Sequence, residues 1–209
     1  MAYFPFYVEL KDVSVLIVGG GKVALHKVKR ILDYEPKIKV VAKKVDERIK
    51  NIKGVEWEER EFEDSDVEGV RFVIAAAGDE ELDEHITSLC NDKGILINVV
   101  DVKDKCDFIF PSVVSRGKLE IGISSSGASP RITTLLAGEI DSILPDNIEE
   151  ILDYLEKLRP YAKQKISNDV LRARFLSYMA ELTYSRRNIP DDEELEKILN
   201  KFLNHIETI

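Results

Sequence analysis

Histidine, cysteine and tryptophan are scarce in this 209-residue chain, at three, two and one. The two cysteines, Cys90 and Cys106, stand sixteen residues apart. That spacing fits no zinc motif, and it reads as two reduced thiols, not a disulfide framework. His26, His85 and His205 lie in separate segments, so no pair of histidines or cysteines has metal-site spacing. No apolar run is long enough to cross a bilayer. The N-terminus lacks the charged start and apolar core of a signal peptide, so the expected location is cytoplasmic. Basic residues are outnumbered, 30 Lys+Arg against 39 Asp+Glu for a net charge of −9. A general nucleic-acid binder would need a basic face, although a local basic pocket stays open. There is no internal repeat and no low-complexity segment. What remains is 44% apolar and 33% charged, the balance of a globular chain. At this length folding buries about 70% of the unfolded surface.

The most informative stretch is Val13 to Ala24. An apolar, β-branched run ends at Gly19-Gly20-Gly21, and a helix-compatible segment begins at Lys22. Gly19, Gly21 and Ala24 fit the dinucleotide pattern G-x-G-x-x-A. The first glycine permits a sharp turn, the second removes a Cβ from the path of a pyrophosphate, and Ala24 lets helix and strand lie close. The phosphates would meet free N–H groups at the helix start. Gly19, Gly20, Gly21, Lys22 and Val23 are therefore the expected cofactor contacts.

Further along, strands are expected at Ile38–Ala42, Val55–Phe62 (an edge), Phe72–Ala77 and Ile95–Val100, with helices between. Asp79 is placed to cap the third helix and Gly94 to stop it. Where the common pattern has an acid after the second strand, this chain has Lys43 and Lys44. They suit the 2′-phosphate of NADP or, equally, a solvated helix start. The aromatic lead-in Tyr3 to Leu10 is expected beside the first strand. Strands alternating with helices make a Rossmann-like, doubly wound α/β domain whose ligands lie at the carboxyl ends of strands. Asp101 falls at such an end. Two more strands, Asp107–Pro111 and Leu119–Ser124, should precede a helix capped by Ser129 with Pro130 in its first turn. From Asp146 the chain is all-helical. Pro160 is expected to break one helix, Lys163–Leu182 to form the next, and Pro190-Asp191 with Glu194 to start the last. The α/β part should end near residue 112.

Four stretches together resemble the precorrin-2 dehydrogenase family, which includes a module of the multifunctional siroheme synthases. They are Phe4-Pro5 with Leu10; Val18 to Ala24 with Lys27; Asn98-Val99-Val100-Asp101 with Cys106 to Pro111; and Ile123-Ser124-Ser125 to Pro130. The family oxidises precorrin-2 to sirohydrochlorin with hydride transfer to NAD. Some members also insert ferrous iron or cobalt, which stays open here. The resemblance implies that Asp101 is the catalytic aspartate; by itself an aspartate after a strand reads more readily as a turn or cap residue. It implies that Ser125, with Ser124, lies near the tetrapyrrole, though loop polarity and N-capping explain both equally. The same serine can be phosphorylated in the family. A substrate with eight carboxylates needs cations, for which Arg116, Arg131, Lys163, Lys165, Arg172 and Arg174 are candidates; each also suits a solvated surface. The resemblance further implies a homodimer and three parts: an NAD-binding domain over 1–112, a dimerisation segment over 113–145 and a helical domain over 146–209. Uroporphyrinogen methylation would then lie on another protein. The family often has an arginine where His26 precedes Lys27. The rival reading is a nucleotide-sensing Rossmann module without chemistry; such modules keep the acid after the second strand and have no need of Asp101 with Cys106-Asp107-Phe108.

Overall fold

The computed structural model describes residues 3–204. His205, noted above, lies outside them. The described residues form two compact units that divide between Phe110 and Pro111.

The first unit is a five-stranded parallel sheet. Its elements are β1 (Ser14–Val18), α1 (Lys22–Ile31), β2 (Lys37–Ala42), α2 (Glu47–Lys50), β3 (Val55–Glu59), β4 (Phe72–Ala75), α3 (Glu80–Lys93) and β5 (Leu96–Val99). The strand order is β3-β2-β1-β4-β5. The order reverses beside β1, whose Val15 pairs with Ile38 on one side and Phe72 on the other. Ligands of open parallel sheets settle in the crevice at that reversal.

Successive side chains of β1 point to opposite faces. Val15 and Ile17 join Ala24, Val28 and Ile31 of α1 on one side, while Leu16 and Val18 join Ile86 and Cys90 of α3 on the other. Burial on both faces is why these strands read as continuous apolar runs. Asp79 accepts from Leu82 N–H at 3.2 Å and caps α3. Gly94 ends that helix at φ +67°.

Two expectations fail in this unit. Asp107–Pro111 is not a strand. Asp107 N–H donates to Ile97 O at 2.9 Å, but its own carboxylate takes the Ile97 N–H at 3.0 Å. The side chain replaces the backbone carbonyl, so pairing with β5 stops after one residue. The aromatic lead-in is also largely exposed: Phe4, Phe6 and Tyr7 retain 81%, 70% and 73% of their surface. Only Leu10 and Val13 pack on the core, while Tyr3 OH donates to Cys106 O at 3.3 Å.

The second unit opens with a hairpin of β6 (Ser112–Arg116) and β7 (Leu119–Ile123), turned at Gly117 with φ +59°. Then come α4 (Pro130–Ile143), α5 (Ile148–Lys165), α6 (Asp169–Arg186) and α7 (Asp192–Asn204). Ser129 caps α4 by accepting from Ile132 N–H. Asp191 caps α7 by accepting from Glu194 N–H at 2.8 Å. The expected break at Pro160 does not occur. The apolar stripe of Ile148, Ile151, Leu158 and Ala162 continues through it and is buried. Pro160 itself is exposed, so the carbonyl that loses its partner faces solvent. The helix ends instead at Ile166, and Asn168 caps α6 by accepting from Leu171 N–H at 3.0 Å.

Candidate functional site

Three glycines shape the turn from β1 to α1. Gly19 has φ +119°, and a Cβ on it would stand 2.4 Å from Ala76 O. A Cβ on Gly20 would stand 2.3 Å from Lys44 O. These two let the turn sink between the loops after β4 and β2. Gly21 is different: a Cβ there would meet nothing within 4 Å. It is the N-cap of α1, with no side-chain cap and no acid in the first turn. The N–H groups of the exposed Lys22 and Val23 therefore lie beside free space at the positive end of the helix. This is the geometry a pyrophosphate requires, and the residues present fit a dinucleotide.

Lys43 and Lys44 follow β2, on one side of this turn. Lys43 Nζ is ion-paired with Glu61 at 2.9 Å, which raises its proton affinity; both side chains are exposed. Lys44 presents its backbone to Gly20.

Asp101 lies on the other side, just past β5 and two strands from β1, about 10 Å at ordinary strand spacing. Its backbone is left-handed, with φ +62°. Asp12, Glu35, Ser126 and Arg187 share that conformation, and aspartate adopts it more readily than most residues, so the backbone marks a tight turn and it is the place at the strand end that makes Asp101 a candidate. The side chain is exposed. The turn closes with Val102 N–H on Val99 O at 3.3 Å, and Val100 N–H is held by Ala75 O at 3.0 Å.

Beneath that turn is a polar cluster that spacing alone does not show. Asn98 is 5% exposed in an otherwise apolar strand. Its Nδ2 donates to Phe108 O at 2.9 Å and approaches Cys106 Sγ at 3.4 Å. Cys106 Sγ lies 3.1 Å from Val99 O and 3.3 Å from Val102 O. Burial pushes the Cys106 thiol's pKa up. Lys27, from the second turn of α1, reaches Asn98 Oδ1 at 3.4 Å and sits 4.0 Å above the Phe110 ring. Burial first, and Arg30 second, lower its proton affinity, against the opposing pull of Cys106 and Asp101. The sequence signals for this cluster are the lone polar residue inside Ile95–Val100 and the resemblance stretches that contain Lys27, Asn98 and Cys106.

The other candidates lie in the second unit. Ser124 Oγ accepts from Ser126 N–H at 3.0 Å, and Ser125 Oγ accepts from Ser129 N–H at 2.9 Å, so both hydroxyl oxygens shape the loop before α4. Arg116 is committed to a two-pronged pair with Asp141, both contacts at 2.8 Å. Arg172 pairs with Asp169 and donates to Ile166 O. Arg131 is exposed in the first turn of α4. Lys165 lies 5.6 Å from the Tyr161 ring centre, and Arg174 lines a shallow groove on α6. In the first unit His26 is exposed on α1, and His85 contacts Asp64 at 2.6 Å. Among the described residues no three His, Cys, Asp or Glu side chains converge as a metal site would require. No described helix is long and apolar enough to cross a membrane.

A family model for NAD(P)-binding proteins matches residues 6–112. The siroheme synthase of Thioalkalivibrio sulfidiphilus is 35% identical over 212 residues, covering 98% of this chain and 43% of that protein. Siroheme synthase 1 of Klebsiella pneumoniae is 34% identical over 178 residues, covering 84% of this chain and 38% of its own. The chain thus spans less than half the length of these curated relatives. Among solved structures, that of SirC, precorrin-2 dehydrogenase, matches with a TM-score of 0.74 over 99% of this chain and 100% of that one. The sequence identity is 23%, and the likeness is one of fold.

Proposed function

The chain belongs to the NAD(P)-binding family, and from that premise we propose that it is an NAD-dependent precorrin-2 dehydrogenase, forming sirohydrochlorin. The observation that carries the reading is Asp101. A carboxylate held in a left-handed turn at the carboxyl end of β5 shares a sheet with an uncapped glycine turn suited to pyrophosphate. The relatives support the substrate, since siroheme synthases match nearly the whole chain.

Gly19, Gly20 and Gly21 would give a pyrophosphate access to the α1 N–H groups of Lys22 and Val23, and Lys43 and Lys44 after β2 and Asp101 after β5 would flank the bound dinucleotide. NAD, when bound, supplies a hydride acceptor. The Asp101 carboxylate receives the proton that leaves a ring nitrogen as the macrocycle's C–H bond gives up its hydride, so a new double bond forms with charge balanced. The pairing of Lys43 with Glu61 leaves less positive charge for a 2′-phosphate and favours NAD.

Ser124, Ser125 and Arg131 are the proposed substrate contacts of the second unit. Arg116 and Arg172 fit that role less well, because their guanidinium groups already hold carboxylates. The division into 1–112, 113–145 and 146–209 assigns dimerisation to the middle segment. There α4 exposes Ile132, Leu135, Leu136 and Ile143 by 55%, 49%, 41% and 67%. A helix face of this kind supports a homodimer. The two free thiols suit the cytoplasm.

The test is anaerobic turnover of freshly made precorrin-2 with NAD. NADH and sirohydrochlorin should appear in equal amounts; NAD binding without turnover would favour a sensing module.

A further inference from the structure

The cofactor helix and the Asp101 turn are joined by a chain of side chains that no step above uses. Lys27 stands on α1, five residues after the first helical residue. Its ammonium is held between the Phe110 ring, at 4.0 Å, and Asn98 Oδ1, at 3.4 Å. Asn98 in turn touches Cys106 Sγ. That sulfur lies within 3.3 Å of two carbonyls, Val99 O and Val102 O, the residues that bracket the Asp101 turn. A thiol has one hydrogen, so it donates to one carbonyl at a time, and both acceptors keep it in place. The Asn98 amide is buried and engaged on both its oxygen and its nitrogen, so it cannot rotate without losing partners.

The turn needs such support. A left-handed aspartate is less favourable than ordinary backbone, and an exposed loop would relax unless its flanks were fixed. Asp101 makes no contact that fixes its own backbone. Its flanks are fixed by Ala75 O on Val100 N–H and by the Cys106 sulfur on the two carbonyls.

We propose that Lys27 and Cys106, acting through Asn98, are positioning residues that hold Asp101 in its left-handed turn and tie that turn to the cofactor helix. The proposal rests on the assignment of Asp101 to the reaction. Neither residue touches the reacting atoms. Lys27 acts as a strut from the phosphate-binding helix, and Cys106 as a clasp on the turn.

The experiment compares Lys27→Met, Lys27→Arg, Cys106→Ala and Cys106→Ser in the full chain. Met keeps the apolar stem over Phe110 without the charge; Ser keeps a donor for the carbonyls. Lys27→Met and Cys106→Ala should each lower kcat at least tenfold, with the Kd for NAD within twofold of wild type. Lys27→Arg and Cys106→Ser should recover most of the loss. A second readout does not depend on turnover. Amide hydrogen exchange at Val100 and Val102 should quicken at least tenfold in the Met and Ala variants, while the β1 amides stay protected.

Unchanged exchange at Val100 and Val102 would overturn the proposal, whatever the kinetics. So would a kcat loss matched by lost NAD affinity and not rescued by Arg or Ser, which would make these residues part of cofactor binding or general packing. If exchange quickens as expected but Asp101→Ala turns over normally, the clasp stands as structure, and it is the catalytic reading of Asp101 that fails.

Discussion

Three consecutive glycines serve two separate ends, and each end can be tested alone. Gly19 and Gly20 let backbone meet backbone, whereas Gly21 keeps a space open. Gly20→Ala should destabilise the fold by about 1–3 kcal/mol, because the obstructing atoms at 2.3 and 2.8 Å are the backbone of Lys44 and Val45 and cannot swing aside. A fall in Tm checks this. Gly21→Asp should leave Tm nearly unchanged yet abolish NAD binding in a calorimetric titration, since its side chain enters the phosphate space with like charge. Unaltered NAD affinity would move the phosphate site elsewhere. At this scale the glycine pattern and the strand-end place of Asp101 were legible, because both follow from local spacing. The left-handed backbone of Asp101 and the contacts of Lys27, Asn98 and Cys106 were not. Lys27 and Asn98 alone are 71 apart in the chain, and no periodicity encodes such contacts.

Elements were legible where local chemistry and burial agree. Asp79, Ser129 and Asp191 cap the helices their positions announce. Three expectations failed: Asp107 pairs through its carboxylate, Pro160 sits on the wet side of a helix whose other side is buried, and the aromatic lead-in leaves Phe4, Phe6 and Tyr7 exposed where their apolar character announced packing. Beside β2 and β3 a buried ion network could not be read from sequence either. The Asp66 side chain, 2% exposed, accepts from Arg60 at 2.5 and 2.8 Å, from Lys39 at 3.2 Å and from Glu63 N–H at 3.0 Å. The Arg60 guanidinium, more than any other partner, holds its pKa down at about 2. With the folded pKa below the unfolded one, this stabilisation, about 2 kcal/mol, is complete above pH 4. It is lost as pH falls through about 2. Asp66→Asn should therefore lower Tm at pH 7 and flatten the acid limb of the stability profile between pH 4 and 2. An acid limb identical to wild type would remove Asp66 from the ledger.

At the scale of the molecule, the parallel sheet and the helical tail were both legible, since strand and helix periods differ and the change falls near residue 112. The partner surface is an expectation drawn from the resemblance, and the proposal of a homodimer takes its support from the exposed apolar residues of α4. Ile132→Asp with Leu136→Asp should halve the mass seen by sedimentation while the helical circular dichroism is kept; a single chain's mass for the unmodified protein would contradict the dimer. The proposed activity requires that the phosphate turn after β1 and the Asp101 carboxylate after β5 act in one site on one sheet. The most direct measurement is a pair of readings on Asp101→Ala: NAD affinity by titration, and anaerobic single turnover of precorrin-2 followed by its spectrum. The account predicts wild-type NAD affinity with no sirohydrochlorin formed above the spontaneous rate. Turnover at the wild-type rate would contradict it.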